Sequence, residues 1–289
     1  RAPDAHKGDF GHVLIIGGSV GKAGAAAMAG MGALRAGAGL TTVATPKSVL
    51  NTVAGFAPEL MTEPLDETDT GGIALKALEY GRMDKLCENK DVLAIGPGLG
   101  QHPETQEFVR SLVHSTKLPV VLDADGLNAF AGAANLLDGS KRPLVLTPHP
   151  GEFARLAGKS VTEIEKDPVT LARAFAAAHE CTLVLKGHRT LVATPEGDVW
   201  INTSGNAGMA KGGSGDVLTG ITVALLAKSK RCAAENAGAA VFLHGLAGDI
   251  AREQVGERSM VASDILAAVG DAFHRAAAQV SSKTVTINP

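Results

Sequence analysis

Short, uninterrupted apolar runs alternate with longer stretches of helical spacing along most of the chain. Val13-Leu14-Ile15-Ile16 has no polar position and ends in Gly17-Gly18-Ser19, the pattern of a strand buried on both faces. An Ala/Gly-rich helix is predicted over 23–36, where small side chains permit close packing, and Leu40-Thr41-Thr42-Val43-Ala44-Thr45 reads as the next strand, stopped by Pro46. The rhythm returns with the strand Val92-Leu93-Ala94-Ile95, the turn Gly96-Pro97-Gly98-Leu99-Gly100 and a helix near 103–114. Val120-Val121-Leu122-Asp123 and Leu144-Val145-Leu146-Thr147 are two further buried strands, each running into a polar turn.

The pattern changes after about residue 182. Leu183-Val184-Leu185, Leu191-Val192-Ala193-Thr194 and Val199-Trp200-Ile201-Asn202 follow closely, with Pro195-Glu196-Gly197-Asp198 as a turn, which predicts an antiparallel meander. Helices near 214–228, 233–253 and 262–279 complete the chain. The expectation is an α/β fold: a mostly parallel sheet with helices on both faces and an antiparallel edge. With no low-complexity linker and no clear repeat, residues 1–289 are expected to form a single domain.

Composition narrows the picture. Of 289 residues 45% are hydrophobic but only 3% aromatic, so the core must be built from aliphatic side chains, and 35 glycines imply tight backbone approaches. A formal net charge of −3 offers no general attraction to nucleic acid or an anionic membrane, so an anionic ligand must be held by local features. No apolar run approaches the roughly 18–20 residues that span a bilayer. The opening residues Arg1 to Lys7 lack the apolar segment of a signal peptide and no Met begins the chain, which suggests a processed or excised piece in a cytoplasmic setting. Cys87, Cys181 and Cys232 are widely spaced and odd in number, fitting neither a disulfide framework nor a zinc site.

Ligands of open α/β sheets bind at the carboxyl ends of the strands. Here those ends carry Gly17-Gly18-Ser19, Gly96 to Gly100, Asp123-Ala124-Asp125-Gly126-Leu127-Asn128 and Thr147-Pro148-His149-Pro150-Gly151-Glu152. The most informative stretch runs from Gly205 to Gly220. Gly212, Gly213 and Gly215 allow successive N–H groups to point into one space, and a helix beginning at Ser214 to Asp216 adds its positive end. Asp216 in that field would stay ionised and could take a proton from a substrate hydroxyl, or it could simply cap the helix. Neither G-x-x-x-x-G-K-[ST] nor G-x-G-x-x-G is present, so the residues alone lead to an anion site in an α/β enzyme and no further.

The order of the motifs adds a resemblance. Lys22-Ala23-Gly24-Ala25-Ala26, Gly96-Pro97-Gly98-Leu99-Gly100, Asp123 to Asn128, Thr147 to Glu152, Lys186-Gly187 and Gly213-Ser214-Gly215-Asp216 together resemble the ribokinase-like NAD(P)H-hydrate dehydratases, from the His6-Lys7-Gly8-Asp9-Phe10-Gly11-His12 segment to Ser263-Asp264-Ile265. The resemblance implies a ribokinase-like three-layer sandwich and repair of hydrated NADH or NADPH. A ring hydroxyl receives a phosphoryl group from ADP or ATP, phosphate leaves, and the double bond is restored.

Carried over by position, Asp216 resembles the base. Gly213, Ser214 and Gly215 would hold the terminal phosphate, and Lys186, Gly187, His188, Arg189 and Thr190 the nucleotide. Ala25, Gly98, His149 and Asn206 would contact the hydrated dinucleotide. For His149 a rigid turn accounts for Pro148 and Pro150 but not for the imidazole. Glu152 and Asp125 would help place Mg²⁺ through water. The family also implies a homo-oligomer, typically a tetramer, a choice between ADP and ATP that the Ala/Gly-rich composition tips towards ADP, and, in some members, an amino-terminal epimerase domain absent from this sequence.

Two other readings use the same residues. A ribokinase-like kinase acting on a vitamin-precursor alcohol would leave a stable phosphate ester. A non-catalytic nucleotide-binding module would not need Asp216.

Overall fold

The computed structural model describes residues 2–282. In chain order its first half runs β1 (His12–Ile16), α1 (Ala23–Arg35), β2 (Leu40–Pro46), α2 (Leu50–Ala54), β3 (Met61–Leu65), α3 (Arg82–Cys87), β4 (Val92–Ile95), α4 (Pro103–Ser115), β5 (Val120–Leu122) and α5 (Asp125–Asn128). The second half runs β6 (Leu144–Leu146), α6 (Pro150–Ala157), α7 (Val161–Lys166), α8 (Pro168–Ala178), β7 (Thr182–Leu185), β8 (Leu191–Ala193), β9 (Val199–Ile201), α9 (Ser214–Leu226), α10 (Ala233–Val255) and α11 (Ala262–Ser282).

All these strands join one sheet in the order β3-β2-β1-β4-β5-β6-β7-β8-β9. Pairings from β3 across to β7 are parallel, while β8 runs antiparallel to both β7 and β9, so the edge meander forms as the turn signals indicate. The alternation of side chains explains the uninterrupted apolar runs. Val13 and Ile15 pack into one core with α1, α9, α10 and α11, whereas Leu14 and Ile16 pack into another with Phe108, Phe153 and Phe175 of α4, α6 and α8. Three layers result.

The order reverses at β1, which lies between β2 and β4. The helices that follow β1 and β4 leave to opposite faces, opening a crevice at the carboxyl ends of these strands. Helix α9 lies tightly on α1: a Cβ on Gly220 would come within 2.2 Å of the Ala29 carbonyl oxygen, and one on Gly32 within 2.9 Å of that of Val217. That contact is what the Ala/Gly-rich helix provides for, and it brings the amino-terminal turn of α9 to the same end of the sheet.

Some elements depart from the pattern reading. Strand β2 continues through Pro46, which faces Leu65 on β3. Strand β3 escapes the hydrophobic signal because it is an edge: Glu63 and Pro64 interrupt it, and Met61 and Glu63 are exposed. Helices α6 to α8 fill a stretch to which no element was assigned, each starting at a capping side chain, His149, Ser160 or Asp167. No helix among the described residues is long and apolar enough to cross a membrane.

Candidate active site

The site is built around the start of α9. Gly213 is its N-cap with φ 91°, a left-handed conformation that favours glycine, and a Cβ there would stand 2.9 Å from the Ala262 methyl. Among the N–H groups of this loop, that of Ser214 turns back to the Lys211 carbonyl at 3.3 Å and is not directed at a ligand. Gly215 and Asp216 lie in the first turn, where helix geometry leaves N–H groups without intrahelical partners and the dipole favours an anion. Asp216 sits in that turn, and no side chain caps the helix, so the reading of Asp216 as a simple cap is set aside.

Beside it lies a group of charges from four separate segments. Lys186, directly after β7, donates to Asp123 Oδ1 at 2.7 Å and lies 3.8 Å from Glu152 Oε2. Asp123, at the end of β5, is buried, and its second oxygen accepts the Thr219 hydroxyl of α9 at 2.6 Å. A Cβ on Gly215 would be 3.5 Å from Lys186 Nζ and 3.8 Å from Asp123 Oδ2, which places the glycine loop directly over this pair. Burial acts to lower the Lys186 pKa, but Asp123, Glu152 and Asp216 outweigh it, and the ammonium is held above its ordinary range.

Asp216 behaves differently from the expectation that the helix field would keep it ionised. Burial, reinforced by the negative charges of Asp123 and Glu152, pushes its pKa up to about 7 against the opposing pull of Lys186. The carboxyl is therefore balanced between acid and base near neutrality, the condition that suits proton transfer.

His149 has a structural duty that the sequence did not reveal. Its Nδ1 accepts the Gly151 and Glu152 N–H groups at 3.0 and 3.3 Å, capping α6, while Glu152 Oε2 accepts His149 N–H at 2.8 Å. The imidazole is thus explained by the turn after all. An Nδ1 that accepts leaves the proton on Nε2, which points at Glu152 Oε1 from 3.4 Å, and about half of the side chain is exposed.

The remaining predicted residues fall into a second group and two flanks. Ala25 and Gly98 meet at the crevice between β1 and β4: a Cβ on Gly98 would be 3.0 Å from the Ala25 methyl and 2.5 Å from the Lys22 carbonyl oxygen. Asp125 belongs to this group, accepting Gly100 N–H at 2.9 Å and pairing with Lys22 at 3.5 Å. It shares no partner with Glu152, and among the described residues no three ligating side chains converge. The oxygen donors thus fit Mg²⁺ held through water and nucleotide phosphate, not a protein cage. Gly187, His188, Arg189 and Thr190 form an exposed turn beyond Lys186, closed by Thr190 Oγ1 donating to the Gly187 carbonyl at 3.1 Å. Asn206 caps the short turn Ala207–Met209 by accepting Gly208 N–H at 3.0 Å.

Sequence reasoning placed Asp123 on the strand-end rim without giving it a role, and it missed Thr219 and His244. Asp123 carried a usable signal, a carboxylate closing a wholly apolar strand, but neither other residue stands out from its helix. Buried His244 of α10 lies 3.4 Å from the Ser214 hydroxyl, and burial holds its pKa down at about 4 despite the opposing bond from Ser214, so it is neutral. The cysteines lie apart from the site. Cys181 is buried, which pushes its thiol up to about 12, Cys87 is partly buried, and exposed Cys232 caps α10.

Comparison with known proteins follows the same lines. The profile of a family described as NAD(P)H-hydrate dehydratase matches residues 13–270. The bifunctional NAD(P)H-hydrate repair enzyme Nnr of Moorella thermoacetica is 46% identical over 266 residues, 92% of this chain and 50% of that protein. The ADP-dependent (S)-NAD(P)H-hydrate dehydratase of Bacillus subtilis is 35% identical over 278 residues, 94% of each chain. A crystal structure of the Bacillus subtilis ADP/ATP-dependent enzyme, co-crystallized with ATP/Mg2+, superposes with a TM-score of 0.81 at 33% identity, covering 95% of this chain and 93% of that one. This chain spans about half the length of the bifunctional relatives it matches.

Proposed function

Because the chain belongs to the NAD(P)H-hydrate dehydratase family, we propose that it converts hydrated NADH or NADPH back to the reduced dinucleotide, with ADP or ATP as phosphoryl donor. The observation that carries this is the position of Asp216: it directly follows Gly213-Ser214-Gly215 at the start of α9, with a carboxyl poised at about 7.

The geometry supports the following chemistry. Asp216 takes the proton of the ring hydroxyl, and the hydroxyl oxygen attacks the terminal phosphorus of the nucleotide, whose bond to the bridging oxygen breaks so that AMP leaves from ADP, or ADP from ATP. The Gly215 and Asp216 N–H groups and the positive end of α9 stabilise charge on the phosphoryl oxygens. A phosphate ester then replaces a hydroxyl, so the C–O bond breaks with phosphate departing in place of hydroxide, and loss of a proton from the adjacent carbon restores the double bond. The exposed Gly187–Thr190 turn and Lys186 are suited to the nucleotide, and the crevice lined by Ala25 and Gly98 to the dinucleotide. Half-exposed His149 faces the same rim and can offer its Nε2 side to the substrate while Nδ1 caps α6. Mg²⁺, when bound, would neutralise phosphate charge, and Glu152 would help to hold it through water.

We extend the proposal to a single catalytic domain over residues 1–289, acting in the cytoplasm as a homo-oligomer. The test is recovery of the near-ultraviolet absorbance of reduced nicotinamide from hydrated NADH with Mg²⁺ and ADP or ATP. A nucleotide-dependent rise with release of inorganic phosphate supports the reading, and the faster nucleotide identifies the donor. A stable phosphate ester formed on a vitamin-precursor alcohol, with no rise from the hydrate, would replace it by a kinase.

A further inference from the structure

The glycine loop that ends at Asp216 is held from behind by a side chain that the mechanism above does not use. Asp249, on α10, accepts Gly205 N–H at 2.9 Å through Oδ2 and Asn206 Nδ2–H at 3.0 Å through Oδ1. Asn206 in turn accepts Gly208 N–H at 3.0 Å. From there the backbone continues as consecutive bonds: Met209 N–H to the Asn206 carbonyl, Ala210 to Ala207, Lys211 to Met209 and Ser214 to Lys211, at 2.8–3.3 Å. Each bond begins within the span of the one before or hands on to the next, so an unbroken series of bonds links Asn206 to Ser214 at the start of α9.

The surroundings hold the same segment closed. A Cβ on Gly245 would lie 2.2 Å from Ser204 Oγ, and one on Gly208 2.4 Å from Met260 Sδ and 2.7 Å from the Glu257 carbonyl oxygen, leaving no slack on either side. Lys211 Nζ donates to the Arg258 carbonyl at 2.9 Å, and His244, five residues before Asp249 on α10, meets Ser214 at the far end of the loop. Helix α10 therefore touches the loop at its beginning, through Asp249, and at its end, through His244.

We propose that Asp249 is a positioning residue for the phosphate-binding loop, acting through Asn206 to fix the N–H groups that receive the nucleotide's terminal phosphate. In this role Asn206 supports the loop with its side chain, beside the substrate contact that the resemblance implies for it. The proposal deepens the function proposed above and rests on it for the identity of the nucleotide.

The polarity of the pair provides a specific test. Asp249→Asn alone sets an amide donor against Gly205 N–H or Asn206 Nδ2, and Asn206→Asp alone sets two carboxylates against each other. The double exchange, Asn206→Asp with Asp249→Asn, restores all three bonds: the new amide accepts Gly205 N–H and donates to the new carboxylate, which still accepts Gly208 N–H. Expected are faster hydrogen exchange over residues 205–216 and about tenfold weaker binding of Mg-ADP by calorimetry in each single variant, with both recovered in the double variant. Single variants that lose only thermal stability while binding Mg-ADP like the parent would overturn the proposal, as would a double variant no better than the singles. A parent protein that binds Mg-ADP but does not regenerate NADH defeats the dehydratase reading instead, and leaves the exchange and binding comparison intact.

Discussion

Lys186 Nζ reaches Asp123 Oδ1 at 2.7 Å although 63 residues separate them, and it does so across the intervening strand β6. The bond ties the ends of β5 and β7 together, and the Thr219 hydroxyl draws α9 into the same knot. Asp216 thereby acquires its electrostatic surroundings: Asp123 and Glu152 push its pKa up and Lys186 pulls it down. The charges that tune the Asp216 carboxyl are part of the scaffold that positions it.

Replacing Asp216 by Asn removes the proposed base and keeps its shape. Turnover should fall by about 10²–10⁴-fold while Mg-ADP binding persists. A variant retaining more than a tenth of the parent rate would show that the proton goes elsewhere.

The pH dependence has a definite sign. Only the ionised carboxylate accepts a proton, so kcat/KM should rise with pH through about 7. Lys186→Met removes the one nearby positive charge that lowers this value, so the rising limb should move to higher pH. It also leaves Asp123 and Glu152 without their counter-ion, a loss of about 3–5 kcal/mol in stability. A limb that stays in place would mean that Lys186 does not act on Asp216.

The same shift links Asp216 to folding. A carboxyl whose pKa is raised in the folded state contributes stability that is full below the ordinary aspartate range and is lost as pH rises through about 7. Asp216→Asn should therefore raise Tm at pH 8 and leave it near the parent value at pH 4. His244 has the opposite sign: held down at about 4, it contributes stability that is full above the ordinary histidine value of 6.5 and disappears as pH falls through 4. Thermal scans across pH with His244→Gln should show the acid-side loss of the parent reduced.

His149 carries two duties that substitution can separate. His149→Ala should cost about 1 kcal/mol by uncapping α6, whereas His149→Asn supplies another good cap and should keep Tm. If the imidazole also meets the dinucleotide, both variants should raise KM for the hydrate. Unchanged KM in the Asn variant would confine the residue to capping.

Gly220 sets the spacing of α1 and α9, since any Cβ there meets the Ala29 carbonyl oxygen at 2.2 Å. Gly220→Val should cost at least about 1–3 kcal/mol and shift the start of α9, lowering Mg-ADP affinity along with Tm. Retained affinity in a folded variant would show that the loop is set independently of this contact.

Features that depend on neighbours along the chain were legible from the residues alone. Apolar runs marked the buried strands, glycines marked a helix start able to receive an anion, and the order of motifs marked the ribokinase-like family, because periodicity, turn conformation and helix dipoles are local properties. The edge strand β3 stayed hidden because a strand buried on one side only, and broken by Pro64, lacks the apolar run. Tertiary structure decided the rest. The sheet order placed Asp123, Glu152, Lys186 and Asp216 together, burial then raised Asp216 to about 7, and the packing of α10 behind the loop gave Asp249 its role. Coulomb forces and desolvation depend on distance in space, and for these residues only the folded order of strands and helices sets that distance.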